Sequence, residues 1–243
     1  MKKILLLILF MITLTLSGCG EYEYTSYTAN PDIVANTDLE ITMNEAIELY
    51  GGGYSYVYDA DYDTYLMFAY YDDEVSVCID SNIDQRYIDA SILAVEEYDA
   101  LDFISISYHM SDDPSTTIIE PCTDDDTIIM ITTYSGAEES FCSEEEGGDI
   151  DTCGCNYYWY NNEEGIFDSV IKFNRDVMDD MSDAELESIA LHELTHLFGL
   201  DDLYEDVLEN YSVMFWSSGD IIITDLTEFD LYNLEWMYGV PKE

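Results

Sequence analysis

Through the middle of the chain, apolar and polar positions follow two regular periods. Val75, Val77 and Ile79 alternate with Ser76 and Cys78, the pattern of a half-buried strand. Ile88, Ile92, Val95 and Tyr98 then recur at helical spacing through 85–101. Phe103–Tyr108 alternates again and predicts a second strand, while Thr127–Thr132 is more fully apolar and predicts a third. Another strand is expected over 165–174, G-I-F-D-S-V-I-K-F-N. Leu186, Ile189, Ala190, Leu194 and Leu197 resume the helical period, opened by Ser182 and Glu185 at capping-box spacing. Gly199 stops that helix, because glycine takes a left-handed turn at no steric cost. Upstream, 41–50 predicts a short helix ended by Gly51-Gly52-Gly53. There is no internal repeat.

The helix before Gly199 carries H-E-L-T-H, and its chemistry is specific. His192 and His196 are four apart, so both imidazoles project from one helix face, one turn apart, a spacing that suits two nitrogens on one zinc ion. Glu193 stands beside them, within reach of a proton on a metal-activated water. The turn at Gly199 can bring Asp202 back to the metal as third ligand. A carboxylate is the economical choice, since the chain holds 3 histidines and the other, His109, lies far upstream. His109 itself reads as a polar loop residue.

H-E-x-x-H-x-x-G-x-x-D over 192–202, followed by Ser212-Val213-Met214, resembles the metzincin clan of zinc endopeptidases, which pair an extended zinc motif with a Met-turn. L-T-E-F-D-L-Y-N-L-E-W-M-Y-G (226–239) is most similar to the helix that follows the turn in matrixins. The similarity covers about 75–239 and is specific over 182–239. It implies an α+β, zincin-like fold: a twisted mixed β-sheet, an active-site helix, and a C-terminal helix after the Met-turn. It also implies Zn2+ on His192, His196 and Asp202, Glu193 as catalytic general base, and Met214 as a structural residue beneath the metal. Asp230 matches the helix acid that braces the turn, and a peptide or protein substrate should lie extended along a sheet edge. The chain departs from the pattern twice. Asp202 stands where matrixins usually carry histidine, and Trp216 where some clan members place a metal-binding tyrosine.

Composition narrows the partners. The chain has 243 residues, room for one ordinary domain with an N-terminal extension, and 48% hydrophobic residues with 22 Tyr are ample for a core. Against 54 acidic residues stand 6 basic ones, a formal charge of −48, so a phosphate-binding surface cannot be assembled and nucleic acid is excluded as a partner. A solvated acidic surface is the plainest account of this charge. An adaptation to high salt is another, and Ca2+ sites at D-A-D-Y-D (59–63) or D-D-D (124–126) a third, although neither run has the glycine and terminal glutamate of an EF-hand loop.

At the N-terminus, Lys2 and Lys3, an apolar stretch from Ile4 to Leu16, and Leu16-Ser17-Gly18-Cys19 read as a bacterial lipoprotein signal over 1–18, with a lipid on Cys19. The expected location is therefore outside the cytoplasm, on a membrane. Residues 19–74 read as a tether and N-terminal segment, 20–40 lacking periodicity, and contain a candidate prosegment; 75–243 form the catalytic domain. An insertion over 121–156 carries Cys122, Cys142, Cys153 and Cys155, which suggest two disulfides, with Cys153 and Cys155 each bonded to Cys122 or Cys142. Cys78 is left as a buried thiol within its strand. The combined expectation is a lipid-anchored zinc endopeptidase. Its rivals are a non-catalytic surface binding module with a structural zinc, against which an intact Glu193 weighs, and a metallohydrolase acting on another bond.

Overall fold

In chain order, the elements of the computed structural model are β1 (Ser17–Gly18), α1 (Met43–Tyr50), β2 (Tyr58–Asp59), β3 (Thr64–Tyr65), β4 (Val75–Ile79), α2 (Gln85–Asp99) and β5 (Ile106–Met110). They continue with β6 (Ile129–Tyr134), β7 (Gly154–Asn161), β8 (Gly165–Asn174), α3 (Arg175–Met178), α4 (Asp183–His196) and α5 (Glu228–Tyr238). The structure describes residues 17–18, 41–52, 58–59, 64–65, 75–111, 129–135, 153–161, 165–205, 208–215 and 222–239. Cys19, Cys122, Cys142, Trp216, the acidic run 124–126, most of 59–63 and the signal before Ser17 lie outside them.

One sheet has the order β1-β7-β8-β6-β4-β5, and β2 and β3 pair separately. Strands β5, β4, β6 and β8 run parallel to one another, whereas β7 lies antiparallel to β8 and β1 antiparallel to β7. Parallel neighbours need a crossover, and α2 supplies the one between β4 and β5. Val77, Ile79, Ile129, Ile131, Ile171 and Phe173 share one face of the parallel strands and are all buried in the core. This is a mixed α/β arrangement compatible with the α+β class read from the sequence. No described helix is long and apolar enough to cross a membrane.

Helix α2 packs along α4. The Tyr98 hydroxyl donates to Thr195 Oγ1 at 2.8 Å, and its ring stacks on Phe198 with centroids 4.3 Å apart. Arg86 donates to the carbonyls of Asp179 and Met181, pinning the start of α2 to the turn that leads into α4. Its ion pair with Asp183 at 3.0 Å is exposed and adds little. Helix α1 opens on a Thr42–Glu45 capping box and buries Ala46 and Tyr50 in the same core. Beyond it, Gly52 takes a left-handed φ of 67° and its N–H donates to Asn233 Oδ1 on α5 at 2.7 Å.

Several expectations shift. The second strand starts at Ile106, not 103, because the chain must first turn off α2; Leu101 and Ile104 N–H groups bond back to Tyr98 and Leu101. The third runs on to Tyr134. The expected insertion to 156 ends too late, since Gly154–Asn161 is strand β7, fully paired to β8. The aromatic run 157–160 suits a pleated strand, with Cys155 inside it and Cys153 just before it. His109 lies in β5, not in a loop, with its Nδ1 3.4 Å from Ser76 Oγ. Cys78 is disulfide-bonded, not a thiol. Of the two cysteines expected to cross-link the insertion, Cys155 is disulfide-bonded, whereas Cys153 keeps a thiol packed in the core.

Candidate metal centre

Helix α4 opens on the expected capping box: Ser182 N–H donates to Glu185 Oε2 at 2.6 Å, and Glu185 N–H returns to Ser182 Oγ at 3.3 Å. From Ile189 onward every residue of α4 is buried, so its polar side chains are held inside the protein. At its end Gly199 takes a left-handed φ of 87° and its N–H bonds to the His196 carbonyl at 2.9 Å. That turn carries Asp202 back over the helix face. His192, His196 and Asp202 each offer one ligand atom, and these atoms lie within 4.8 Å of one another.

The geometry of the three is closer than that bound. His192 Nε2 and His196 Nε2 are 3.0 Å apart, and Asp202 Oδ1 lies 3.2 Å from the first and 3.5 Å from the second. Each imidazole has its other nitrogen against a backbone carbonyl, His192 Nδ1 on Val213 O at 2.8 Å and His196 Nδ1 on Leu200 O at 2.9 Å. A carbonyl only accepts, so Nδ1 carries the proton in both rings, and Nε2 is left with a lone pair. Two nitrogen lone pairs and a carboxylate oxygen therefore converge with no hydrogen among them in the neutral-imidazole state. Such a group can hold a metal ion, and a carbonyl behind each ligating imidazole is the usual outer support of one.

Charge follows the same logic. Burial would raise the Asp202 carboxyl, but His196 and His192 outweigh it and hold it well below the usual range. Burial would lower His196, yet Asp202 beside it raises it instead. Glu193, wholly buried, is raised by burial against the opposing pull of His192 and His196. Its Oε2 accepts from Asn156 Nδ2 at 3.2 Å, and its Oε1 has no hydrogen-bond partner among the described residues.

The segment around Met214 supports two ligands through its main chain. Val213 O holds His192, and Met214 O accepts from Leu203 N–H, next to Asp202, at 2.8 Å. Met214 itself is fully buried. Asp230, at the start of α5, fastens this turn from behind. Its Oδ1 accepts from the Ser212 hydroxyl at 2.5 Å, and its Oδ2 from Val213 N–H at 3.1 Å and Thr227 N–H at 3.0 Å. Asp201 stays outside the group, its Oδ1 accepting from the Asp202 N–H at 3.0 Å.

No protein-family model and no curated protein matches the chain. The geometry therefore stands alone. It brings His192, Glu193, His196 and Asp202 together as the spacing anticipated. The contribution of Asn156 and of the Val213 and Leu200 carbonyls was not anticipated; main-chain groups leave no mark in a sequence.

Proposed function

We propose that the protein is a zinc-dependent endopeptidase, lipid-anchored through Cys19 outside the cytoplasm. The observation that carries this reading is the buried convergence of His192 Nε2, His196 Nε2 and Asp202 Oδ1, with a carboxylate oxygen of Glu193 left unpartnered in the next residue. Two histidines with one carboxylate form an established catalytic zinc set. A zinc ion held there would lower the pKa of a water towards roughly 7 and polarise the scissile carbonyl. Glu193 would take the proton of that water and return it to the leaving amine. An antiparallel strand, β7, packed beside α4 in an otherwise mostly parallel sheet supports the metzincin-like fold that the 192–214 motifs imply.

One observation favours the rival, a binding module with a structural zinc: the ligands and Glu193 are at most 8% exposed, and structural metal sites are closed. Against it, the described residues supply three ligands, one short of a structural tetrahedron. For catalysis, whatever covers the site must move aside to admit substrate. Incubating the zinc-loaded protein with a mixed peptide library separates the readings. Cleavage at internal bonds, abolished by a chelator and restored by zinc, is expected. Stoichiometric zinc without cleavage of any peptide would leave the binding module.

A further inference from the structure

We propose that strand β7 is the positioning element for Glu193, acting through Asn156 and Gly154; this rests on the reading of Glu193 as general base. The two residues are two apart on a strand and so share one face. That face meets α4 at Glu193. Asn156 is completely buried, and its Nδ2 donates both to the Glu193 carbonyl and to Glu193 Oε2. A primary amide nitrogen carries two hydrogens, so one side chain satisfies both bonds at once. The Glu193 carbonyl is among the last four of α4, which lack partners within a helix, and Leu197 N–H turns instead to Leu194 and Thr195. Asn156 thus grips the main chain and the side chain of one residue and occupies Oε2, leaving Oε1 as the unpartnered oxygen.

Gly154 makes room for the same carboxylate. A Cβ there would stand 2.6 Å from Glu193 Oε1 and 2.8 Å from both Cδ and Cγ, too close for any side chain without displacing the glutamate. The reverse orientation of the Asn156 amide would set its oxygen against two acceptors, so the donors are fixed by their partners. The amide pays for this with its own Oδ1, buried with no donor. The arrangement holds a base, and the chain separation of 37 residues makes it a tertiary device.

The test uses full-length protein loaded with zinc, comparing Asn156→Ala, Asn156→Asp and Gly154→Ala with wild type. Each variant should keep one zinc per chain while kcat falls about a hundredfold with KM little changed, the scale of a misplaced catalytic group. In a Glu193→Gln background, Asn156→Ala should change kcat by less than about twofold, because residues acting as a unit are not additive. Crystal structures of the zinc-loaded variants should find the Glu193 carboxylate moved from its wild-type place. An unmoved carboxylate in Asn156→Ala, or an undiminished loss in the Glu193→Gln background, would overturn the proposal. Should Asn156→Ala not fold, Gly154→Ala, which removes no hydrogen bond, decides by the same structure. If wild type cleaves no peptide, the endopeptidase reading fails, and the position of Glu193 in the variants still decides the role of β7.

Discussion

Asp202 and Glu193 are buried carboxylates a few residues apart, and their surroundings drive them in opposite directions. Asp202 is held ionised by two imidazoles at 3.2 and 3.5 Å, as a ligand must be. Glu193 is raised by burial, which makes it the stronger proton acceptor of the two. Glu193→Ala should therefore retain zinc and lose at least about a hundredfold in peptide cleavage, the usual scale for a general base. Near-normal turnover of a metal-replete variant would remove Glu193 from the mechanism. Asp202→Asn should weaken zinc binding by at least about a hundredfold, beyond the usual cost of losing an outer-shell partner. Asp202→His should recover it. Asp201→Asn should bind zinc like wild type, because an amide oxygen can still accept from the Asp202 N–H. Zinc content after dialysis against a graded chelator reads all three, and release from Asp201→Asn alone would mean that the ligand register is wrong.

Two elements carry the ligands and a third holds them in place. Helix α4 and the turn at Gly199 present the imidazoles and Asp202, while α5 acts from behind through Asp230. This carboxylate satisfies Ser212, Val213 and Thr227, so the turn behind His192 depends on the first turn of another helix. Asp230→Ala would leave the Val213 N–H and the Ser212 hydroxyl buried without their acceptor, at a cost of roughly 2–6 kcal/mol. Urea unfolding of the zinc-free protein should register that loss, and zinc affinity should fall with it, since Val213 O no longer has a fixed position. A stability loss without any change in zinc affinity would mean that α5 does not reach the site. The link extends one step further, because Asn233 on α5 accepts from Gly52 and ties α1 to the same helix.

For the molecule as a whole, charge is the dominant feature. With a formal charge of −48, most carboxylates have no cation within the chain to face, and they repel one another at low ionic strength. Added salt screens that repulsion over a Debye length of about 3 Å at 1 M, against about 30 Å at 0.01 M. The melting temperature should accordingly rise from dilute buffer to molar KCl. Indifference to KCl with a rise in millimolar calcium would assign the acidity to calcium sites instead. Cys78 and Cys155 are disulfide-bonded, so a reducing agent should lower the melting temperature independently of salt.

The features legible along the chain are local in origin. The period of α2 and α4, the Ser182–Glu185 capping box, the stop at Gly199 and the four-residue spacing of His192 and His196 depend on neighbours within a turn or two. Those neighbours can be read in order along the chain. Asp202 was legible for the same reason, since one glycine turn separates it from the helix. The place of β7 between β1 and β8 was not, nor the hold of Asn156 on Glu193, the carbonyls behind the two imidazoles, or the bonding of Cys78. Each joins residues far apart in the chain or uses a main-chain atom that every residue possesses. Such contacts come into being only when the sheet and helices pack, and the tertiary structure alone decides them.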